Sequence, residues 1–385
     1  MELIWIVAEC PYPPNSGGRI VTWNRLNILA KKYAIHLFCA IDSAEERKYK
    51  SELDKICKSV HFYQRRKISA LLKSFSAPFP AVSRWFKEMK ADVNKLDKEI
   101  NAKCILVDSP QMMGNVPFEL YKKTILNQYN IEYKAFASIS DTAKNLLKKM
   151  FFKVTALQMK WYEENLYRKN TIACYTFVSS EEKLFFEKTY NINKTILLPI
   201  GTACIRSIDD KTNERSIIFV GKMSYNPNEQ AVKWFVLNVW PSIKKAVPDI
   251  KFYIVGKEPS ASLVELNKAD KDVIVTGMVD SVTDYYSRAS VVVIPIISGG
   301  GVNVKVLEAL GMGKLVVTTS KGVEGTAFVP GTHLIVADSA EEFAEKVIDA
   351  ALNPNEQMKK NAYQYCVEHY SWEASCKPLI DFLSN

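Results

Sequence analysis

A chain of 385 residues that is 48% hydrophobic and 24% charged has apolar material for two ordinary cores, at roughly 150 residues per domain. No run approaches the ~20 consecutive apolar residues of a membrane-spanning helix. The eight cysteines, at 10, 39, 57, 104, 174, 204, 366 and 376, form no C-x-x-C pair, which excludes zinc and redox motifs of that type and favours reduced, buried thiols in the cytoplasm. The net charge of +9 is uneven: residues 1–200 hold 32 Lys and Arg against 20 Asp and Glu, residues 201–385 hold 19 against 22, and the first half is expected to meet something anionic.

The N-terminal stretch MELIWIVAEC has no basic leader and no small-residue cleavage site and predicts a buried strand. The turn-rich PYPPNSGG follows, then an amphipathic helix from about Arg19 to Lys32, then the strand IHLFCAI. VHFY, CILVDS and KTILNQYN read as further strands, with a helical Lys/Asp-rich stretch before CILVDS. FVSSEEKLFFEKTY reads as a strand end and a helix with Ser179 or Ser180 as N-cap. The alternation restarts near position 216. SIIFVG, KFYIVG, VIVTG, VVVIPI, KLVVTT and HLIVA are strands; AVKWFVLNVWPSIKKAV, VTDYYSRA, VNVKVLEALGMG and EEFAEKVIDAALN are helices. Such alternation predicts parallel sheets covered on both faces.

The polar stretch over Leu198–Asn213 is the expected boundary. The domains are then 1–200, 201–370 and a terminal amphipathic helix, 371–385, crossing back to the first. The fold class is α/β, with two doubly wound, Rossmann-like domains facing a cleft. Such a pair is a recurring way to hold a small ligand, although fold alone does not give function.

The strongest chemical signal is PIISGGGVNVKVLEALGMGKLVV, 295–317. A strand ends at Pro295, Ser298-Gly299-Gly300-Gly301 follows, and a helix begins near Asn303. Glycines let a ligand approach the backbone, and a helix N-terminus offers free N–H groups and partial positive charge to a diphosphate. Lys305 sits in the first turn. Glu308 lies one turn on, on the same face, where a carboxylate can accept both hydroxyls of a ribose. A plain turn with a surface Lys–Glu pair is the bland alternative.

This segment resembles the nucleotide-sugar signature of the retaining family-4 glycosyltransferases, glycosyl transferases group 1, with the GT-B fold. Leu307-Glu308-Ala309 matches the triplet that carries the family's second glutamate. The first glutamate would fall at Gly300, and the chain is similar here to a subgroup with a glycine-rich loop in its place; backbone amides at Gly300–Val302 would then hold the donor sugar. FVGKMSYNPNEQAVKWF resembles the start of the family's second domain, with Lys222 at the place of a diphosphate-binding basic residue and Asn226-Pro227-Asn228 where a second basic residue commonly stands. VIVTGMVDSVTDYYSRA resembles the segment framing the nucleobase, around Thr276–Val279, including Gly277 and Val279. ECPYPPNSGGRIVTWN resembles the first loop of the family, with Gly17 and Gly18 near the phosphates and the transferred sugar. It is not the dinucleotide fingerprint, since G-x-G-x-x-G is missing. NQYNIEYKAF resembles a loop that often begins with histidine; Tyr129 stands in that place, while Asn130 and Glu132 are retained.

The resemblance implies glycosyl transfer from a nucleoside-diphosphate sugar to a hydroxyl with retention and without a bound metal or other cofactor. Lys222 and Lys305 would stabilise the departing diphosphate, Glu132 would contact sugar or acceptor, and Ser298 to Asn303 with Glu308 would hold the donor. The acceptor would be a glycan or a polyprenyl-phosphate-linked glycan, in cell-surface polysaccharide or glycoconjugate synthesis. None of the four histidines, His36, His61, His333 and His369, lies in a candidate catalytic loop.

Two basic amphipathic stretches, 144–161 and 64–75, fit either a core-facing helix with a solvated lysine face or an anionic membrane surface. The expected location is the cytoplasm, with peripheral placement on the inner face of the cytoplasmic membrane as the membrane alternative. No nucleic-acid-binding module is visible. Two rival readings stay open: a sugar-nucleotide epimerase on the same architecture, and a non-catalytic nucleotide-sugar-binding protein.

Overall fold

The computed structural model describes residues 1–66, 77–143, 145–206, 215–299 and 301–384. It divides into two units: Met1–Pro199 together with the segment from Ser375 onward, and Ile200–Ala374.

The first unit is built on a seven-stranded sheet in the order β3-β2-β1-β4-β5-β6-β7. Its strands are β1 (Glu2–Val7), β2 (Ala34–Ile41), β3 (Ser59–Gln64), β4 (Cys104–Asp108), β5 (Thr124–Gln128), β6 (Cys174–Phe177) and β7 (Thr195–Leu197). Every pairing is parallel, with Glu2 opposite Ala34 and Leu3 opposite Cys104. The two-residue period of β1 explains its unbroken apolar run. Leu3, Trp5 and Val7 enter one core with Leu26, Leu29, Leu379 and Leu383. Ile4 and Ile6 enter the core on the opposite face with Met89, Val93, Tyr167 and Phe186. The C-terminal helix Trp372–Ser384 supplies Leu379 and Leu383 to the first of these.

The second unit repeats the plan with six parallel strands in the order β10-β9-β8-β11-β12-β13. They are β8 (Ser216–Val220), β9 (Lys251–Val255), β10 (Val273–Gly277), β11 (Val291–Ile294), β12 (Val316–Thr318) and β13 (Ile335–Val336). The α/β expectation of two doubly wound parallel sheets holds. The single helix expected over AVKWFVLNVWPSIKKAV is three pieces: Asn226–Trp234, a π-turn over Phe235–Val239, and Trp240–Ala246. Pro241 lacks the N–H that a continuous helix would use, and the wider turn absorbs the mismatch. The pattern did not give the helices Ala261–Ala269 and Glu356–His369 or the short β7. Part of the boundary stretch, 207–214, and most of the basic stretch 64–75 lie outside the described residues.

The helix Leu146–Arg168 carries a fully buried carboxylate, Glu163, to the start of the helix Glu132–Thr142. Glu163 accepts the N–H groups of Glu132 at 3.3 Å and Tyr133 at 3.0 Å and the Tyr167 hydroxyl at 3.0 Å. Burial pushes its pKa from 4.5 up to about 8, with those hydrogen bonds opposing. The folded state therefore binds more protons than the unfolded chain between those values, and Glu163 costs stability as pH rises from about 4.5 to about 8. Chemical denaturation across that window should show stability falling with pH in the wild type and a shallower fall in Glu163→Gln. Equal slopes would remove Glu163 from the account.

Candidate functional site

In the second unit three chain segments meet at the helix Asn226–Trp234, whose Pro227 suits a first helical turn. The glycine loop after β11 is the first. Gly299 and Gly301 have φ of +104° and +80°, where a side chain would strain the backbone. A Cβ on Gly299 would stand 3.1 Å from Pro227 Cγ. Ser298 Oγ donates to Gln230 Oε1 at 2.6 Å. Gly300 lies outside the described residues.

The second segment is the helix Val304–Gly311, with Asn303 as N-cap. The Asn303 side chain does not cap the helix. It donates instead to the Gly322 carbonyl at 3.0 Å, so the first-turn N–H groups receive no side-chain acceptor from it. Val302 is partly buried against the core. Lys305 turns inward: Nζ donates to Asn228 Oδ1 at 2.8 Å and lies 5.3 Å from the Phe219 ring centroid. Burial pulls its pKa from 10.5 down to about 8, while the Glu308 charge opposes. Burial raises the Glu308 carboxyl, against the Tyr286 hydroxyl, at 3.4 Å, and the Lys305 charge.

The third segment follows β8 and carries Lys222. Its carbonyl accepts Asn228 Nδ2 at 2.9 Å. Asn228, 4% exposed, thus joins the Lys222 backbone to the Lys305 ammonium. The Lys222 ammonium pairs with Glu258 at 3.0 Å, and Ser224 Oγ donates to the same carboxylate at 2.6 Å. Lys222 is half exposed, so an incoming anion competes with Glu258 in a largely aqueous setting. One surface therefore gathers an uncapped helix N-terminus, two lysines and a half-buried carboxyl one turn behind. That combination can seat a diphosphate and take a diol. Gly277, with φ of +69°, ends β10, and its carbonyl accepts the Gly256 N–H at 3.2 Å. Val279 packs partly buried against the core.

In the first unit Gly17 and Gly18 open the helix Gly17–Leu29, whose N-cap Ser16 makes no side-chain cap bond. A Cβ on Gly18 would meet Glu9 Oε1 at 2.5 Å. Arg19 ties this start to Glu9 at 3.1 Å and to Glu46 at 2.6 Å. Glu132 accepts the Ser109 hydroxyl at 3.0 Å, and burial raises its pKa, opposed by Ser109, Gln111 and Arg84.

Sequence reasoning passed over Glu258, Gln230 and Tyr286. It also missed Asp108, a buried acceptor of Trp5, Thr22, Asn127 and Tyr129 at 2.7–3.1 Å. The polar end of CILVDS was its only signal. Among the described residues no group of three or more His, Cys, Asp or Glu side chains could hold a metal ion.

Residues 214–353 match the family model described as glycosyl transferases group 1. Over 96% of both chains the protein is 26% identical to an uncharacterized 44.6 kDa protein in the cps region of Klebsiella pneumoniae. Its fold is similar to that of sucrose-phosphate synthase from Thermosynechococcus elongatus, at a TM-score of 0.69 and 14% identity, covering 100% of this chain and 98% of the other. Anabaena HepE in complex with UDP gives 0.67 and 13%, with complete coverage of both chains. WaaG, a glycosyltransferase involved in lipopolysaccharide biosynthesis, gives 0.64 and 13%, again with complete coverage of both. The two parallel-sheet domains are a GT-B fold.

Proposed function

We propose that the protein is a glycosyltransferase that takes its donor, a nucleoside-diphosphate sugar, on the glycine-loop surface of the second unit. The observation that carries this reading is the Val304 helix: its start is uncapped, its half-buried Lys305 is held by Asn228, and Glu308 lies one turn on. The bond from the anomeric carbon to the diphosphate breaks, and negative charge grows on the diphosphate. Lys305, Lys222 and the first-turn N–H groups stabilise that charge. The acceptor oxygen bonds to the anomeric carbon on the face the diphosphate leaves, which retains configuration, and its proton passes to the leaving phosphate. Glu308 holds the ribose. Donor binding at Gly17 and Gly18 and a sugar or acceptor contact at Glu132 are carried into this reading from the family resemblance, and no metal takes part.

The acceptor in this reading is a glycan or a polyprenyl-phosphate-linked glycan on the cytoplasmic side, in surface-polysaccharide or glycoconjugate synthesis. Support comes from the group 1 match, the relative in a cps region and the basic first half of the chain. HepE was solved with UDP-glucose, which makes uridine diphosphate sugars the first donors to try. The deciding experiment is a donor screen by thermal shift, followed by mass analysis of products with lipid-linked acceptors. Donor stabilisation without any product would favour a binding module instead.

Glu308→Ala should weaken donor affinity by ~1.5–3 kcal/mol, the scale of a lost hydrogen bond to a charged group. Titration calorimetry with the nucleoside diphosphate reads it. Unchanged affinity would sink the ribose role.

A further inference from the structure

The helix Leu146–Arg168 is half buried and half out of place. Thr155, Ala156, Met159, Glu163, Leu166 and Tyr167 face the core. Leu146, Leu147, Met150, Val154, Leu157 and Trp161 are 54–77% exposed. At about 100° per residue these six fall within an arc of roughly 100°, so they form one continuous apolar stripe. A single exposed leucine needs no explanation, but a contiguous stripe of large side chains marks a binding surface.

Its borders say what it binds. Lys149, Lys153 and Lys160 are exposed and lie along one edge of the arc, about 20–60° beyond Leu146. Between Ala143 and Tyr162 there is no Asp or Glu. We infer that this stripe docks the protein on an anionic bilayer, with the helix lying in the plane of the headgroups. Leucine, methionine and valine side chains would enter the acyl boundary. The lysine stems would follow the apolar surface while their ammonium groups reach lipid phosphates. Trp161, at one end, suits the headgroup level.

No helix of the described residues is long and apolar enough to cross a membrane, so the contact is interfacial. A second copy fits the stripe less well. An antiparallel two-fold pairing sets the same face against itself and brings two lysine edges together with no acid in the stripe to neutralise them. This inference is independent of the transfer chemistry.

The test is flotation of the full chain with phosphatidylcholine vesicles, with and without phosphatidylglycerol, at low and high salt. The wild type should float with the phosphatidylglycerol vesicles at low salt and fall away in high salt. Leu147→Glu combined with Leu157→Glu should lower the bound fraction at least tenfold. Lys149→Gln and Lys153→Gln should each weaken binding to the anionic vesicles roughly fivefold. All four positions are exposed, and circular dichroism should be unchanged. Donor-induced thermal shift should also be unchanged in these variants, which keeps a failure of docking apart from a failure of the donor site. Lack of flotation with anionic vesicles would overturn the inference. So would flotation indifferent to Leu147→Glu/Leu157→Glu, or a lipid-free dimer that those substitutions dissolve and that does not float.

Discussion

Lys305→Met should lower the rate of glycosyl transfer by roughly two to three orders of magnitude, the scale of removing one preorganised electrostatic partner from a developing oxyanion. The argument starts from placement. The Lys305 ammonium is half-buried beside Asn228 and the Phe219 ring, and a charge there acts through a lower dielectric than a surface lysine such as Lys222. Its depressed pKa adds a second readout. A bound diphosphate favours the ammonium, so nucleoside-diphosphate affinity in the wild type should weaken as pH rises beyond about 8. In Lys305→Met that slope should vanish.

The stability sign is opposite to that of an ordinary lysine pair. Between about 8 and 10.5 the unfolded chain binds the proton more readily than the folded one, so wild-type stability rises with pH across that window. Lys305→Met removes the cost of burying the charge, and the variant should be at least as stable at neutral pH. Retained activity together with a retained pH slope would show that Lys305 is structural only.

How much of this was legible in the sequence depends on whether the signal was local. The strand-Gly units and the run from Ser298 to Glu308 are contiguous, and period and glycine spacing marked them. The partners of those residues are not contiguous. Asn228 reaches Lys305 across 77 positions, and Tyr286 reaches Glu308 across 22. Glu258 meets Lys222 from a loop residue with φ of +60°. An acid in KEPS carries no mark that its backbone will turn that way. The direction of the Lys305 side chain was equally hidden, because first-turn placement fixes its face on the helix and not its burial. For the helix Leu146–Arg168 the sequence left a core-facing and a membrane-facing reading open. In the structure Thr155, Ala156, Met159, Leu166 and Tyr167 are buried, while Leu146, Leu147 and Leu157 are exposed.

Gly256→Ala should cost the second unit roughly 4 kcal/mol or more, at the far end of single-substitution effects. Gly256 follows β9 with φ of +151°, and an added Cβ would stand 1.8 Å from the Gly221 carbonyl oxygen and 2.8 Å from its carbon. These are backbone atoms, and no rotamer change relieves the clash. Gly221 donates its N–H to the Val255 carbonyl at 3.0 Å and Met223 donates to Lys257 at 3.0 Å. Making room for the methyl therefore pulls the ends of β8 and β9 apart and moves the loop that carries Lys222. Gly331→Ala is the control. Gly331 also has positive φ, +79°, but nothing lies within 4 Å of its added Cβ, so only the backbone penalty of about 1–2 kcal/mol remains. Denaturant unfolding of the two full-length variants separates contact from conformation. Gly256→Ala should lose most of the stability of the second unit and its donor-induced thermal shift, and Gly331→Ala should keep both. Equal losses would mean that positive φ alone fixes glycine at the end of β9, and that the close approach of the two loops has no part in holding Lys222.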